Sequence, residues 1–191
     1  IRTFEHEKLL ELAEYASVPV INGLTDSSHP CQVMADLLTL REHKGALKDL
    51  RVAWSGDSNN VTTSWIHAAA RFGFELRIAS PEPLQPHDEV LDWGQRNGAH
   101  VEVTEDPQAA ADGADCVVTD TCLSMNHSDE SNRHNLLKPY QVDENLMAAA
   151  KQGAVFMHCL PAHRGEEVAS AVIDGPQSVV FDESENRLHV Q

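Results

Sequence analysis

Residues 51–72 decide the fold: Arg51-Val52-Ala53-Trp54-Ser55, then Gly56-Asp57-Ser58-Asn59-Asn60, then twelve residues from Val61 to Phe72. The first five are too short for a helix and too continuously apolar for a half-exposed strand, so they predict a strand covered on both faces. The next five form a Gly-led polar turn. The last twelve place Val61, Trp65, Ile66 and Ala69 at helical spacing before Gly73 stops them. Strand, polar turn and helix in that order open a right-handed β-α-β crossover.

The same alternation runs outward in both directions. Further strands are expected at 18–22, 75–79, 101–104, 115–119, 154–157 and 178–181, with a strand-like end at 188–190. Helices are expected at 6–16, 29–43, 88–97, 107–112, 143–152 and 166–173, and a long loop at 121–136. The predicted class is α/β, a parallel sheet with helices on both faces in the Rossmann manner. Gly45 and its polar neighbours suggest a boundary, with 1–45 as the end of one domain and 46–191 as a second.

Composition narrows the partners. Thirty Asp and Glu against fourteen Lys and Arg give a net charge of −16 over 191 residues. That balance excludes nucleic acid and anionic membrane, which need clustered cations. Hydrophobic residues make up 41%, enough for a core, and no apolar run reaches the ~20 residues of a membrane span. Cys31, Cys116, Cys122 and Cys159 form no C-x-x-C pair, which suggests reduced thiols and a cytoplasmic location. The chain begins at Ile1-Arg2-Thr3-Phe4 and ends at Gln191, and is expected to be a segment of something longer.

Ligands of such sheets sit beyond the carboxyl ends of the strands, and the polar turns there each offer chemistry. His29-Pro30-Cys31-Gln32 opens a helix whose amino end suits an anion, although His29 or Ser28 could equally cap it. Gly56-Asp57-Ser58-Asn59-Asn60 is neither G-x-G-x-x-G nor a phosphate P-loop, and also reads as a turn with an Asn cap. In Asp120-Thr121-Cys122-Leu123-Ser124-Met125-Asn126, the acid could pair with an amine while Ser124 and the backbone hold a carboxylate; a capped turn fits as well. In His158-Cys159-Leu160-Pro161 the thiol could be nucleophile, hydrogen-bond partner or relay, or a small buried residue. Arg187, in Glu185-Asn186-Arg187, could grip a phosphate or carboxylate bidentately, or lie in solvent. His158, Cys159 and His163 lack a second ligand pair, so no metal is expected.

The order and separation of these pieces closely resemble the aspartate/ornithine transcarbamylases, and among them the ornithine-using members. The shared pieces are Arg2 in Ile1-Arg2-Thr3-Phe4, His29-Pro30-x-Gln32 with Ala35-Asp36 and Thr39, Gly56-Asp57-x-Asn59-Asn60, Asp120-Thr121-x-x-Ser124-Met125, His158-Cys159-Leu160-Pro161 and Glu185-Asn186-Arg187. Together they span essentially the whole chain.

The resemblance implies transfer of the carbamoyl group of carbamoyl phosphate to the δ-amine of L-ornithine, giving L-citrulline and phosphate, without cofactor or metal. It implies that residues 1–45 are the tail of a carbamoyl-phosphate domain and its linking helix, and that 46–191 are an ornithine domain. It implies catalytic roles for Arg2, His29 and Cys159. Carbamoyl phosphate would be held by Arg2, His29, Gln32, Cys159, Leu160 and Arg187, and ornithine by Asn60, Asp120, Ser124 and Met125. Cys159 beside Asp120 would accept or relay the proton of the attacking amine. A homotrimer is implied as well.

Three positions depart from the family pattern: Cys122 stands where Trp is usual, Asn126 and Ser58 where Gly is usual. The Ser-x-Arg-Thr-Arg phosphate segment of the family, expected upstream of Arg2, does not occur in this sequence, nor does the helix expected after Arg187. These residues alone are therefore expected to be inactive. Two other readings stay open: a carbamoyltransferase for another amine such as putrescine, and a non-catalytic nucleotide-binding module. A Cys-His hydrolase is disfavoured, because neighbouring residues of one strand point to opposite faces.

Overall fold

The structure, a computed structural model, describes residues 1–121 and 130–190, the side chains of Glu130 and Ser131 excepted. In chain order the elements are α1 (His6–Tyr15), α2 (Pro30–Lys44), β1 (Arg51–Ser55), α3 (Asn60–Phe72), β2 (Glu75–Ala79), α4 (Asp88–Arg96), β3 (His100–Thr104), α5 (Pro107–Ala111), β4 (Cys116–Thr119), α6 (Glu130–Leu137), α7 (Glu144–Ala149), β5 (Val155–His158), α8 (Ser170–Ile173) and α9 (Val180–Val190).

The five strands form one parallel sheet in the order β3-β2-β1-β4-β5. Each face carries its own core. Val52, Trp54, Leu76, Ile78, Val118 and Met157 pack with residues of α2 and α3. On the other face Ala53, Ala79, Val117 and Phe156 pack with α5, α7 and α8. A strand buried on both sides has no polar face, which is why Val52-Ala53-Trp54 in β1 is an unbroken apolar run.

Local chemistry sets the element ends. Asn59 caps α3 by accepting from the Val61 and Thr62 amides, Asp106 caps α5 ahead of Pro107, and Asp143 caps α7. Gly73, in the left-handed conformation at φ 74, ends α3. Gly56 sits at φ 130 directly after β1, with Thr119 Oγ1 3.4 Å from where a Cβ would be, so the turn that leaves the sheet there suits glycine.

The strand order reverses between β1, which leads outward to β2 and β3, and β4, which leads to β5. The loops after β1 and β4 therefore diverge and leave a crevice at this switch point.

Several expectations need correction. Residues 18–22 form no strand; Val18 and Ile21 are exposed, and the nearby pairing is an isolated bridge from Arg2 to Leu24. An apolar run without a neighbouring strand edge stays irregular. Residues 178–190 are not strands either: Ser178 makes one bridge to Phe156, and α9 follows. The buried residues of α9 are Val180, Glu183 and Asn186, a helical spacing hidden from hydropathy because two of the three are polar. Arg187 thus lies on this helix and not in a turn after a strand.

The loop expected at 121–136 includes α6 from Glu130 onward, and residues 122–129 lie outside the described residues. Two expected helices are shorter than read, since α7 covers Glu144–Ala149 and α8 only Ser170–Ile173.

Candidate active site

At the switch point, hydrogen bonds tie the loops after β1, β4 and β5 together. The Asn59 side chain uses both ends: its oxygen caps α3, and Nδ2 donates to Asp120 Oδ2 at 2.6 Å. The other oxygen of Asp120 accepts from the Thr121 amide at 2.7 Å and from Cys159 Sγ at 2.9 Å. One carboxylate thus joins three loops. Asn60, the residue expected to face ornithine, points its Nδ2 to the Thr25 carbonyl at 2.6 Å. Asn59 is the residue that meets Asp120; the sequence marked it as a helix cap and as a member of a shared motif, without a role at the site.

The second half of the site gathers at the amino end of α2. His29 occupies the N-cap position without capping: its side chain makes no cap hydrogen bond and its backbone amide donates to Ser64 Oγ at 2.8 Å. The residue is only 4% exposed, and its Nδ1 is buried without a hydrogen-bond partner among the described residues. Burial, then the nearby Arg187 and Arg2 charges, push its pKa from the ordinary 6.5 down to about 4 against the opposing pull of Asp120. His29 is therefore neutral at pH 7, and the charges of Arg187, Arg2 and Asp120 all reach it.

Gln32, one turn further along α2, is fully buried. Its Nε2 donates to Asp36 Oδ1 at 2.8 Å and to Glu183 Oε1 at 2.9 Å, and its oxygen accepts from Arg187 Nη1. Glu183 also accepts the His158 amide at 2.9 Å. Asp36 and Glu183, both 1% exposed, meet at the Gln32 amide, and burial raises both above the ordinary carboxyl range. Neither acid was singled out as a site residue, because a buried carboxyl inside a helix has no sequence signature of its own.

After β5 the chain turns sharply. His158 is buried; Nε2 pairs with Glu167 Oε1 at 3.1 Å and Nδ1 accepts the Leu160 amide at 2.9 Å. Leu160 takes φ 50, an uncommon left-handed conformation for a side chain of its size and of the kind that clusters at functional sites. Burial, then the charge and hydrogen bond of Asp120, hold the Cys159 thiol well above its usual pKa. A protonated thiol and a histidine with both nitrogens engaged make a poor nucleophile-base pair, which argues against the hydrolase alternative.

Of the residues expected at the site, the structure brings Arg2, His29, Gln32, Asp120, Cys159 and Arg187 into one connected neighbourhood, with Asn60 and Leu160 at its edge. Ser124 and Met125, like Cys122 and Asn126, lie outside the described residues. Among the described residues, Asp120, His158 and Cys159 form one group whose donor atoms lie within 4.8 Å of one another and could hold a metal ion; His163, Glu166 and Glu167 form another. A cleft of about 840 Å³ lies elsewhere, at the amino ends of β2 and β3, and Asp49, Glu75, Asp92 and Glu102 line it. None of the residues expected at the site lines it. No described helix is long and apolar enough to cross a membrane.

Comparison with known proteins agrees with this arrangement. The profile of the aspartate/ornithine carbamoyltransferase carbamoyl-P binding domain matches residues 1–42, and that of the Asp/Orn binding domain matches 48–191. The ornithine carbamoyltransferase of Rhodopseudomonas palustris (strain BisA53) is 62% identical over all of this chain and 61% of its own length. That of Agrobacterium fabrum is 58% identical over all of this chain and 63% of its own. Among solved structures, the ornithine carbamoyltransferase from Pyrococcus furiosus superposes with a TM-score of 0.93 at 44% identity, over 99% of this chain and 62% of that one. The chain thus spans about three fifths of the length of these relatives. A parallel sheet with this switch-point site, matched along its whole length, places the chain in the aspartate/ornithine carbamoyltransferase family.

Proposed function

We propose that this chain carries the amino-acid half and part of the carbamoyl-phosphate half of an enzyme that carbamoylates the δ-amine of L-ornithine, giving L-citrulline and phosphate. The observation that carries the reading is the pairing of two unlike subsites: a neutral His29, its Nδ1 buried without a partner among the described residues and under the charges of Arg187 and Arg2, and an acid-thiol pair, Asp120 and Cys159, whose acid also acts on it.

The donor subsite suits an acyl phosphate. Arg187, Arg2 and the uncapped amino end of α2 supply positive potential for the phosphate. Attack on the carbamoyl carbon moves charge onto its oxygen, where a donor fixed in a dry pocket stabilises the transition state more than the planar ground state. His29 suits this as a neutral imidazole, because its N–H can donate while the arginines carry the charge.

The acceptor subsite suits an amine. The Asp120 carboxylate balances an ammonium group. The nucleophile must be neutral when it attacks, so one proton has to leave. With its pKa raised, Cys159 is a relay and not a thiolate base: sulfur takes the amine proton as the S–H proton passes to Asp120. Holding both reactants in attack geometry is worth ~7–11 kcal/mol of the barrier. On this reading Asn60, Ser124 and Met125 hold the amino-acid end of ornithine, and Leu160 lines the meeting point. Residues 1–45 belong to the donor domain, 46–191 form the acceptor domain, and the assembled enzyme is a homotrimer.

The test is citrulline formation from carbamoyl phosphate and L-ornithine by the whole polypeptide that carries these residues, run beside putrescine and L-aspartate. Ornithine is expected to be the amine carbamoylated. Turnover with putrescine or L-aspartate in its place would overturn the ornithine reading.

A further inference from the structure

Asp36, Gln32 and Glu183 make a buried unit that the proposed chemistry does not use. Asp36 and Gln32 lie one turn apart on α2, and Glu183 comes from α9, 151 residues beyond Gln32. The two acids take both N–H bonds of the Gln32 carboxamide, which leaves its oxygen to Arg187. A carboxamide has nearly the same shape either way round, so only its partners decide which end faces which way. Here two acceptors stand on one side and a guanidinium on the other.

With the acids gone, Gln32 is free to present its NH₂ to Arg187, donor against donor. The guanidinium would then leave its place beside His29, where it is the second-largest influence that keeps the ring neutral.

We propose that Asp36 and Glu183 are positioning residues: by occupying both N–H groups of Gln32 they turn its oxygen toward Arg187 and fix the guanidinium at the anion subsite beside His29. Calling that subsite the phosphate donor's rests on the function proposed above; the orientation of Gln32 and Arg187 does not. The two acids act as one device. Both face the same Gln32 NH₂ from different helices, α2 and α9, and burial raises both carboxyls above their ordinary range.

The experiment compares three forms of the protein by NMR, following exchange of the Gln32 side-chain NH₂ and the titration of the His29 ring, together with binding of inorganic phosphate. In Asp36→Asn the new carboxamide can accept from Gln32 and donate to Glu183, so Gln32 stays protected and His29 titrates as in the wild type. The double variant Asp36→Leu/Glu183→Met removes both buried acids together, so neither carboxyl is left facing an apolar replacement of the other. There, Gln32 exchange is expected to quicken at least about tenfold, the His29 pKa to rise, and phosphate affinity to fall by about tenfold.

A folded double variant with unchanged Gln32 exchange and His29 titration would overturn the proposal. So would loss of Gln32 protection in Asp36→Asn, which decides the matter even if the double variant does not fold. A response of Gln32 and His29 without any change in phosphate binding supports the brace and contradicts the donor-site reading instead.

Discussion

Cys159 Sγ donates to Asp120 Oδ1 at 2.9 Å, across the neighbouring carboxyl ends of β5 and β4. Only thiolates react readily with alkylating agents, and this bond together with burial disfavours the thiolate. Iodoacetamide at pH 8 is expected to modify Cys159 at least about tenfold more slowly than an unstructured cysteine, followed by peptide mass mapping. Asp120→Asn removes the charge that opposes ionisation and should speed the labelling. If Cys159 labels at the rate of a free thiol in the wild-type chain, the sulfur is not held as described.

Stability should carry the mark of the His29 ring. The ring binds a proton less readily folded (about 4) than unfolded (6.5), so between those values the unfolded state holds more protons. The stabilisation is complete above about pH 6.5 and is lost as pH falls toward 4, an effect of about 3 kcal/mol at one unit per 1.4 kcal/mol. Asp36, raised by burial, works in the opposite sense, becoming costly as pH rises. Urea melts of wild type and His29→Gln across pH 4–7.5 separate the two, because their difference isolates His29. A pH-independent difference would show that His29 ionises freely.

Asn59 serves two partners, the amino end of α3 and Asp120. Asn59→Ala removes both, with an expected loss of about 2 kcal/mol and a fall in melting temperature of roughly 4–8 °C. Asn60→Ala loses a bond to the Thr25 carbonyl but not the cap, and should cost less. Equal melting temperatures for the two variants would contradict the division of labour between these neighbours.

Leu37 on α2 is 2% exposed and belongs to the same core as Trp54 and Ile78 of the sheet. Leu37→Ala is expected to cost about 2–5 kcal/mol. Because that core is shared, near-ultraviolet signals from Trp54 and Trp65 should melt in the same transition as α2 in this variant. Separate transitions would mean that α2 and the sheet fold independently.

How far the sequence carried the structure can be traced residue by residue. The central strands were legible because a doubly covered parallel strand is an apolar run between turns, as at 52–54 and 116–118, whereas β2 and β3 showed the alternation of a partly exposed sheet edge. Asp120 and Cys159 were legible because residues just beyond such strands face the crevice. The end of the chain was not. Val179-Val180-Phe181 has the look of a strand, and only the buried face of Val180, Glu183 and Asn186 reveals the helix, a pattern that hydropathy reads as solvent-facing. The run at 18–22 failed for the converse reason: it has strand composition, but no neighbouring strand pairs with it. Asp36 stood in a shared motif without a role and Glu183 was not marked at all, because what they do depends on a contact between α2 and α9 that no local spacing encodes.

The central claim is that separated polar turns converge on one ligand with a phosphate end and an amino-acid end. The most direct measurement is an NMR titration of the ¹⁵N-labelled chain with a bisubstrate mimic, a phosphonoacetyl group joined to the δ-nitrogen of L-ornithine. The account predicts saturable shifts concentrated at His29, Asn60, Asp120, Cys159 and Arg187, weakened at least about tenfold by Asp120→Asn. Shifts confined to the acidic cleft around Glu75 and Glu102, or spread over both ends of the sheet, would contradict it.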